Sequence, residues 1–183
     1  MRVLVVGSYP PMPGPSARRA LAVVGRLCAA GHDVEVLSPR PSAAHHHRPL
    51  AGLGAAVALA RRARSYDHLV LRLEPGLPLR RRLAAVDGAA LVAALVPWRR
   101  VTLEVDDLAG LPLAPGGRVA RALWGRAAAV VVADDGDRRR LRAEAGPAAG
   151  RVEVAPPPPP PVAPAPPAGV GAPPARGRRP AWR

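Results

Sequence analysis

Arg2-Val3-Leu4-Val5-Val6-Gly7, followed by Ser8-Tyr9-Pro10-Pro11-Met12-Pro13-Gly14-Pro15-Ser16, decides the fold class of this chain. The aliphatic run is too short for a helix and lacks the alternation of a half-exposed strand, so it predicts a strand buried on both faces. Beyond the Pro-rich turn, Ser16 is expected to cap a helix that runs to Ala30 and is ended by Gly31. Leu21, Val24 and Cys28 share one face of that helix and Arg19 and Arg26 another, so Cys28 is expected to be buried. The two elements make a βα unit.

The same alternation continues in both kinds of element. Asp33 to Ser38 predicts a second strand, Pro49 to Arg64 a helix of small residues, and His68 to Leu73 a third strand. Leu79 to Val96 predicts a helix stopped by Pro97, and Val101 to Val105 a fourth strand. Gly117 to Arg126 reads as a helix, Ala129 to Ala133 as a strand, Asp135 to Ala145 as a helix closed by Gly146-Pro147, and Arg151 to Val154 as a last strand. Strands and helices at this spacing imply an α/β, Rossmann-like, doubly wound parallel sheet covered on both faces. The pattern stops at Pro156, where six consecutive prolines begin. One domain over residues 1–155 and an extended or disordered Pro-rich tail over 156–183 are therefore expected.

Composition narrows the function classes. The chain has 183 residues and no Lys, Asn, Gln, Ile or Phe, while Ala, Arg, Gly and Pro abound, a bias that a GC-rich genome imposes on any protein. Its 27 basic residues, all Arg, against 13 acidic ones give a net charge of +14, which suits phosphate or carboxylate recognition even after that bias is discounted. Aromatic residues make up only 3% of the chain, so base stacking on nucleic acid is disfavoured and three Trp are the few large core anchors. A single cysteine, Cys28, argues against a disulfide or a Cys-ligated metal. The run Val3 to Val6 is too short for a signal-peptide core, and Leu83 to Val96 is broken by Asp87 and Gly88, so a cytoplasmic protein, soluble or peripheral to a membrane, is expected. Strand one is not followed by G-x-G-x-x-G and strand two ends in Ser38-Pro39-Arg40 without a ribose-binding acid, so a nicotinamide dehydrogenase is a poor match. A G-x-x-x-x-G-K-[ST] phosphate loop is absent as well.

Open parallel sheets bind ligands beyond the carboxyl ends of their strands, which directs attention to three loops. The first carries Tyr9, Gly14 and Ser16 into a helix N-terminus, either as an ordinary turn or as a loop that meets a phosphate or sugar hydroxyl. Glu74, in Arg72-Leu73-Glu74-Pro75-Gly76, ends strand three, where an ion pair with a neighbouring Arg and a ligand contact are both open. Asp106 and Asp107 end strand four and either bind sugar hydroxyls and assist proton transfer or simply cap and solvate the loop. His45-His46-His47 lacks partners at metal-ligand spacing and reads as a flexible polar loop. His32 falls on the opposite edge and reads as structural.

The Val-rich first strand, the Tyr9-Pro10-Pro11 loop with Gly14 before the helix, Ala30-Gly31-His32-Asp33-Val34-Glu35-Val36-Leu37-Ser38-Pro39, and Arg126 to Asp134 ahead of a helix and Gly146 occur in the order found in one enzyme family. Over residues 1–155 the chain resembles the N-terminal, acceptor-side domain of family-4-type GT-B glycosyltransferases. It departs from them where Gly14 is followed by Pro15 rather than a second glycine, and where Val105-Asp106-Asp107 stands in place of a His-acid pair. The resemblance implies a glycosyltransferase half, with Asp106 and Asp107 as catalytic candidates and Tyr9, Gly14, Ser16 and Glu74 around the acceptor. It implies retention of configuration and no cofactor beyond a nucleotide-sugar donor, held mainly by a second domain that this sequence lacks, in trans or lost by truncation. The acceptor is expected to be a lipid, glycan or small molecule, and a lipid-linked one suits peripheral membrane contact through Arg61-Arg62-Arg64, Arg80-Arg81-Arg82, Arg99-Arg100 and Arg138-Arg139-Arg140. The competing expectation is a non-catalytic α/β module whose Pro-rich tail recruits a partner.

Overall fold

The computed structural model describes residues 1–39, 41–48, 52–74, 100–109, 124–145 and 151–156. Its strands are β1 (Arg2–Val6), β2 (Asp33–Ser38), β3 (His46–His47), β4 (His68–Leu73), β5 (Val101–Val105), β6 (Ala129–Val132) and β7 (Val152–Val154). Its helices are α1 (Pro15–Ala29), α2 (Gly52–Ala63) and α3 (Asp135–Ala145), with a further helical turn at residues 124–126. The sheet order is β3-β2-β1-β4-β5-β6-β7, and every pairing is parallel. The chain thus winds outward from β1 to β3, returns to the other side of β1, and winds outward again. The expected α/β, Rossmann-like sheet is present, and its switch point lies between β1 and β4.

Alternation along β1 explains why this strand reads as continuously apolar. Val3 and Val5 join Val23, Val34, Val36 and Val70 beneath α1, whereas Leu4 and Val6 face a larger cluster with Leu37, Leu71, Leu103, Trp124 and Leu141. Both faces are therefore dry, as parallel sheets require. Of the three tryptophans, Trp124 is fully buried as a core anchor, while Trp98 and Trp182 lie outside the described residues. The expected helix over 79–96, most of the one over 117–126, and residues 157–183 of the expected tail also lie outside them.

Helix α1 differs from expectation in phase and in its start. Ala17, Ala20 and Val23 are buried, with Val24 and Leu27 packed partly against the valine cluster, whereas Leu21 is 50% exposed and Cys28 is exposed. Two stripes with helical spacing compete on this helix, and the one bearing alanines wins because small side chains let the helix axis approach the sheet closely. The helix begins at Pro15, not at a Ser16 cap: Gly14 precedes it with φ 117°, and no side chain caps the first turn. Proline suits that first position because its missing N–H has no partner to lose. At the other end Gly31, φ 78°, donates to Cys28 O, and His32 donates to Leu27 O, closing the helix in a Schellman turn.

The His45-His46-His47 segment is not a flexible loop. His46 and His47 pair with Leu37 and Ser38 as an edge strand, His45 Nδ1 accepts the Val36 N–H at 3.1 Å, and His46 Nε2 lies 2.7 Å from Glu35 Oε2. The His45 imidazole, as acceptor, satisfies a backbone N–H of β2 that would otherwise be unpaired.

Candidate functional site

Along β4, Leu69, Leu71 and Leu73 fill the larger core, so the residues between them project toward α1. Val70 is one of these and joins the valine cluster; Arg72 is the next, completely buried, and it stands in register with Glu104 of β5. A guanidinium inside a sheet is tolerable only when its donors are matched by acceptors and its charge by carboxylates. Here both conditions are met. Arg72 Nε donates to Glu104 Oε2 at 3.1 Å, Nη1 to Glu74 Oε1 at 3.3 Å and to the Ser16 carbonyl, and Nη2 to Asp106 Oδ1 and Oδ2 at 2.7 and 2.8 Å.

These bonds join three loops of the carboxyl edge. Asp106, after β5, also accepts the Ser16 hydroxyl at 2.6 Å and an Arg19 Nη1–H at 3.4 Å, so it ties the first turn of α1 to the sheet. Its position at that turn suits a carboxylate, because the amino end of a helix carries partial positive charge. Glu74, after β4, accepts the Ser8 backbone N–H at 2.9 Å. Glu74 and Glu104 are 4% and 9% exposed, so the three carboxylates are held largely away from water. Burial pushes the Glu104 carboxyl above its ordinary range, opposed by Arg72 and by Arg26 across 3.9 Å.

Gly7 allows this convergence. A Cβ at that position would stand 2.9 Å from Arg72 Cβ and 2.9 Å from Glu74 Oε1, so the space a side chain would take is filled by the ion cluster.

The residues singled out from sequence are therefore partly assembled. Ser16, Glu74 and Asp106 belong to one network, joined by Arg72. Tyr9 packs partly against the valine cluster, Gly14 supplies the positive φ before α1, and Asp107 is exposed beside Asp106. Sequence reasoning left open an ion pair of Glu74 with a neighbouring Arg, which Arg72 makes at 3.3 Å, but it passed over the shared cluster of Arg72, Arg19 and Glu104. The signal for two of them was present: Arg72 and Glu104 interrupt strands otherwise expected to be buried on both faces, and buried charges call for each other. Between α1 and β5–β6 lies a cavity of about 50 Å³ bordered by Arg19, Arg26, Glu104 and Asp106, room for water but not for a sugar ring.

Elsewhere, the other carboxylate cluster centres on Glu35, which accepts from Tyr66 Oη at 2.6 Å and from Arg2 Nη2 at 3.2 Å and lies 3.6 Å from Arg62. The hydrogen bond from Tyr66, then those from His46 and Arg2, lower its pKa to about 2. Among the described residues no group of three or more His, Cys, Asp or Glu is arranged to hold a metal ion, and no helix is long and apolar enough to cross a membrane. No family model matches the chain, and no curated protein matches it.

Proposed function

We propose that this chain is the acceptor-side half of a GT-B-type glycosyltransferase, seating the acceptor at the carboxyl edge of the sheet while a second domain, outside these residues, binds the nucleotide sugar. One observation carries the reading: the loops after β1, β4 and β5 meet at the switch point through a single buried guanidinium, Arg72. Ligand crevices of doubly wound sheets lie at that point. In this reading Asp106 and Glu74 fix the loops, Ser16 and the Tyr9–Gly14 segment border the acceptor, and exposed Asp107 is the carboxylate assigned to the acceptor hydroxyl. Transfer with retention, a lipid-linked acceptor, a cytoplasmic setting and peripheral membrane contact through the Arg runs belong to the same proposal.

Amide-shift mapping with uncharged mono- and disaccharides tests the location. Perturbations should cluster at Ser8, Tyr9, Gly14, Ser16, Glu74, Asp106 and Asp107. Shifts confined to the opposite edge, around His32 and Asp67, would remove the crevice from the account.

A further inference from the structure

At the carboxyl end of β1, a doubly wound fold offers an anion two attractions: the backbone N–H of the turn and the amino end of the following helix. In this chain its own carboxylates stand at both, Glu74 on the turn N–H and Asp106 beside the helix start through a hydroxyl rather than a backbone N–H. Glu74 Oε1 takes the Ser8 N–H at 2.9 Å, and Asp106 faces the first turn of α1 through the Ser16 hydroxyl at 2.6 Å. The first residue of that helix is Pro15, which has no N–H to offer.

The cations beside the crevice are committed as well. Each nitrogen of Arg72 donates to Glu104, Glu74, Asp106 or the Ser16 carbonyl, and Arg19 donates to Asp106. Gly7 removes any Cβ from the position where a phosphate would approach the turn, yet Glu74 Oε1 already stands 2.9 Å from that point. Among the described residues, a phosphate entering here would meet two carboxylates, with the Arg72 guanidinium already bonded to both, and like charges at such separations disfavour it.

We propose that Glu74 is the chain's own anion at the end of β1, and that it makes the switch-point crevice refuse phosphate and take the uncharged, hydroxyl-bearing part of a ligand. This names a ligand class for the site in the acceptor reading and rests on that reading for its hydroxyl half; the phosphate half stands on geometry alone. Glu74 is then a specificity-determining residue. Its carboxylate can accept a ligand hydroxyl, and its charge repels the anions that the positive surface of this protein otherwise attracts.

The test is anion binding by the full 183-residue chain, with pyrophosphate as the probe, measured by titration calorimetry and by the shift of the thermal midpoint at constant ionic strength. Glu74→Ala vacates the position, leaving the Ser8 N–H unmatched and Arg72 Nη1 with the Ser16 carbonyl but no Glu74 carboxylate. It should bind pyrophosphate about tenfold or more tightly than the wild type, and formate, a stand-in for the missing carboxylate, should raise its midpoint but not the wild type's. Equal pyrophosphate affinity and equal formate response in the two proteins would overturn the proposal. If Glu74→Ala does not fold, Glu74→Gln decides: its amide oxygen still accepts from Ser8, but the charge is gone, so pyrophosphate should stabilise it more than the wild type. An identical response overturns the proposal. None of these readouts involves sugar transfer, so their failure is separate from failure of the acceptor reading.

Discussion

Arg72 Nη2 holds both carboxylate oxygens of Asp106, at 2.7 and 2.8 Å, and thereby fixes the end of β5 to the interior of β4. Removing the guanidinium strands three largely buried carboxylates without their shared counterion. Arg72→Met is expected to lower unfolding stability by about 3–5 kcal/mol. Arg72→Lys should recover little of this, because one ammonium cannot reach Glu74, Glu104 and Asp106 together. Urea denaturation measures both, and a loss below about 1 kcal/mol for Arg72→Met would mean that the cluster contributes little.

Gly7→Ala places a methyl where Arg72 Cβ and Glu74 Oε1 already stand, each 2.9 Å from the new carbon. The backbone or the ion cluster must shift, at about 1–3 kcal/mol. By contrast, a Cβ at Gly25 meets nothing within 4 Å, so Gly25→Ala, within α1, should be neutral or stabilising. Thermal midpoints of the two variants should move in opposite directions or differ clearly.

Glu35 and Glu104 should act oppositely on the pH dependence of stability. The pKa of Glu35 falls from 4.5 to about 2 on folding, chiefly through Tyr66, so its stabilisation is present above 4.5 and is lost as pH falls toward 2. With a side chain one-quarter exposed, the effect is on the order of 2 kcal/mol, and Glu35→Gln should flatten acid unfolding in that window. Burial raises Glu104, so its charged form is penalised as pH rises above 4.5 through the folded value. Glu104→Gln should therefore gain stability relative to wild type on going from pH 4 to pH 7, and denaturation at the two pH values checks the sign.

How much of this was legible in sequence depended on whether one signal or two competed. Asp33–Ser38, His68–Leu73 and Val101–Val105 were readable to the residue, because β-branched and aliphatic runs bounded by turn residues have few alternatives. The phase of α1 was not, since the Leu21-Val24-Cys28 stripe outweighs Ala17-Ala20-Val23 in hydrophobicity while the latter packs more closely. The edge strand at His46–His47 carries no apolar alternation at all; it is held by pairing and by imidazole hydrogen bonds. At the site, Glu74 and Asp106 were found by position after a strand, and an Arg partner was left open for Glu74, but the hold of Arg72 on Asp106 and Glu104 was missed because Arg72 was read as one letter of an apolar strand. A charge in such a strand is the cue to search neighbouring strands for its counterion.

The exposed position of Cys28, opposite to its expected burial, has a direct chemical readout. A thiol reagent should label one equivalent of native protein without a lag and at the rate seen in denaturant, within a few fold. Labelling only after unfolding would restore the Leu21-Val24-Cys28 face as the buried one and displace Ser16 and Arg19 from the network around Asp106.

The half-enzyme reading is tested most directly by sugar transfer itself. Orientation of donor against acceptor supplies about 7–11 kcal/mol of a barrier in favourable cases, and a domain that holds only the acceptor cannot supply it. The purified 183-residue chain should therefore show no transfer from any of a panel of nucleotide sugars, and turnover should appear when a donor domain is added in trans or by fusion, with Asp107→Ala reducing it. Robust transfer by the isolated chain would contradict the account, and silence after complementation with every donor domain tried would favour a non-catalytic binding module instead.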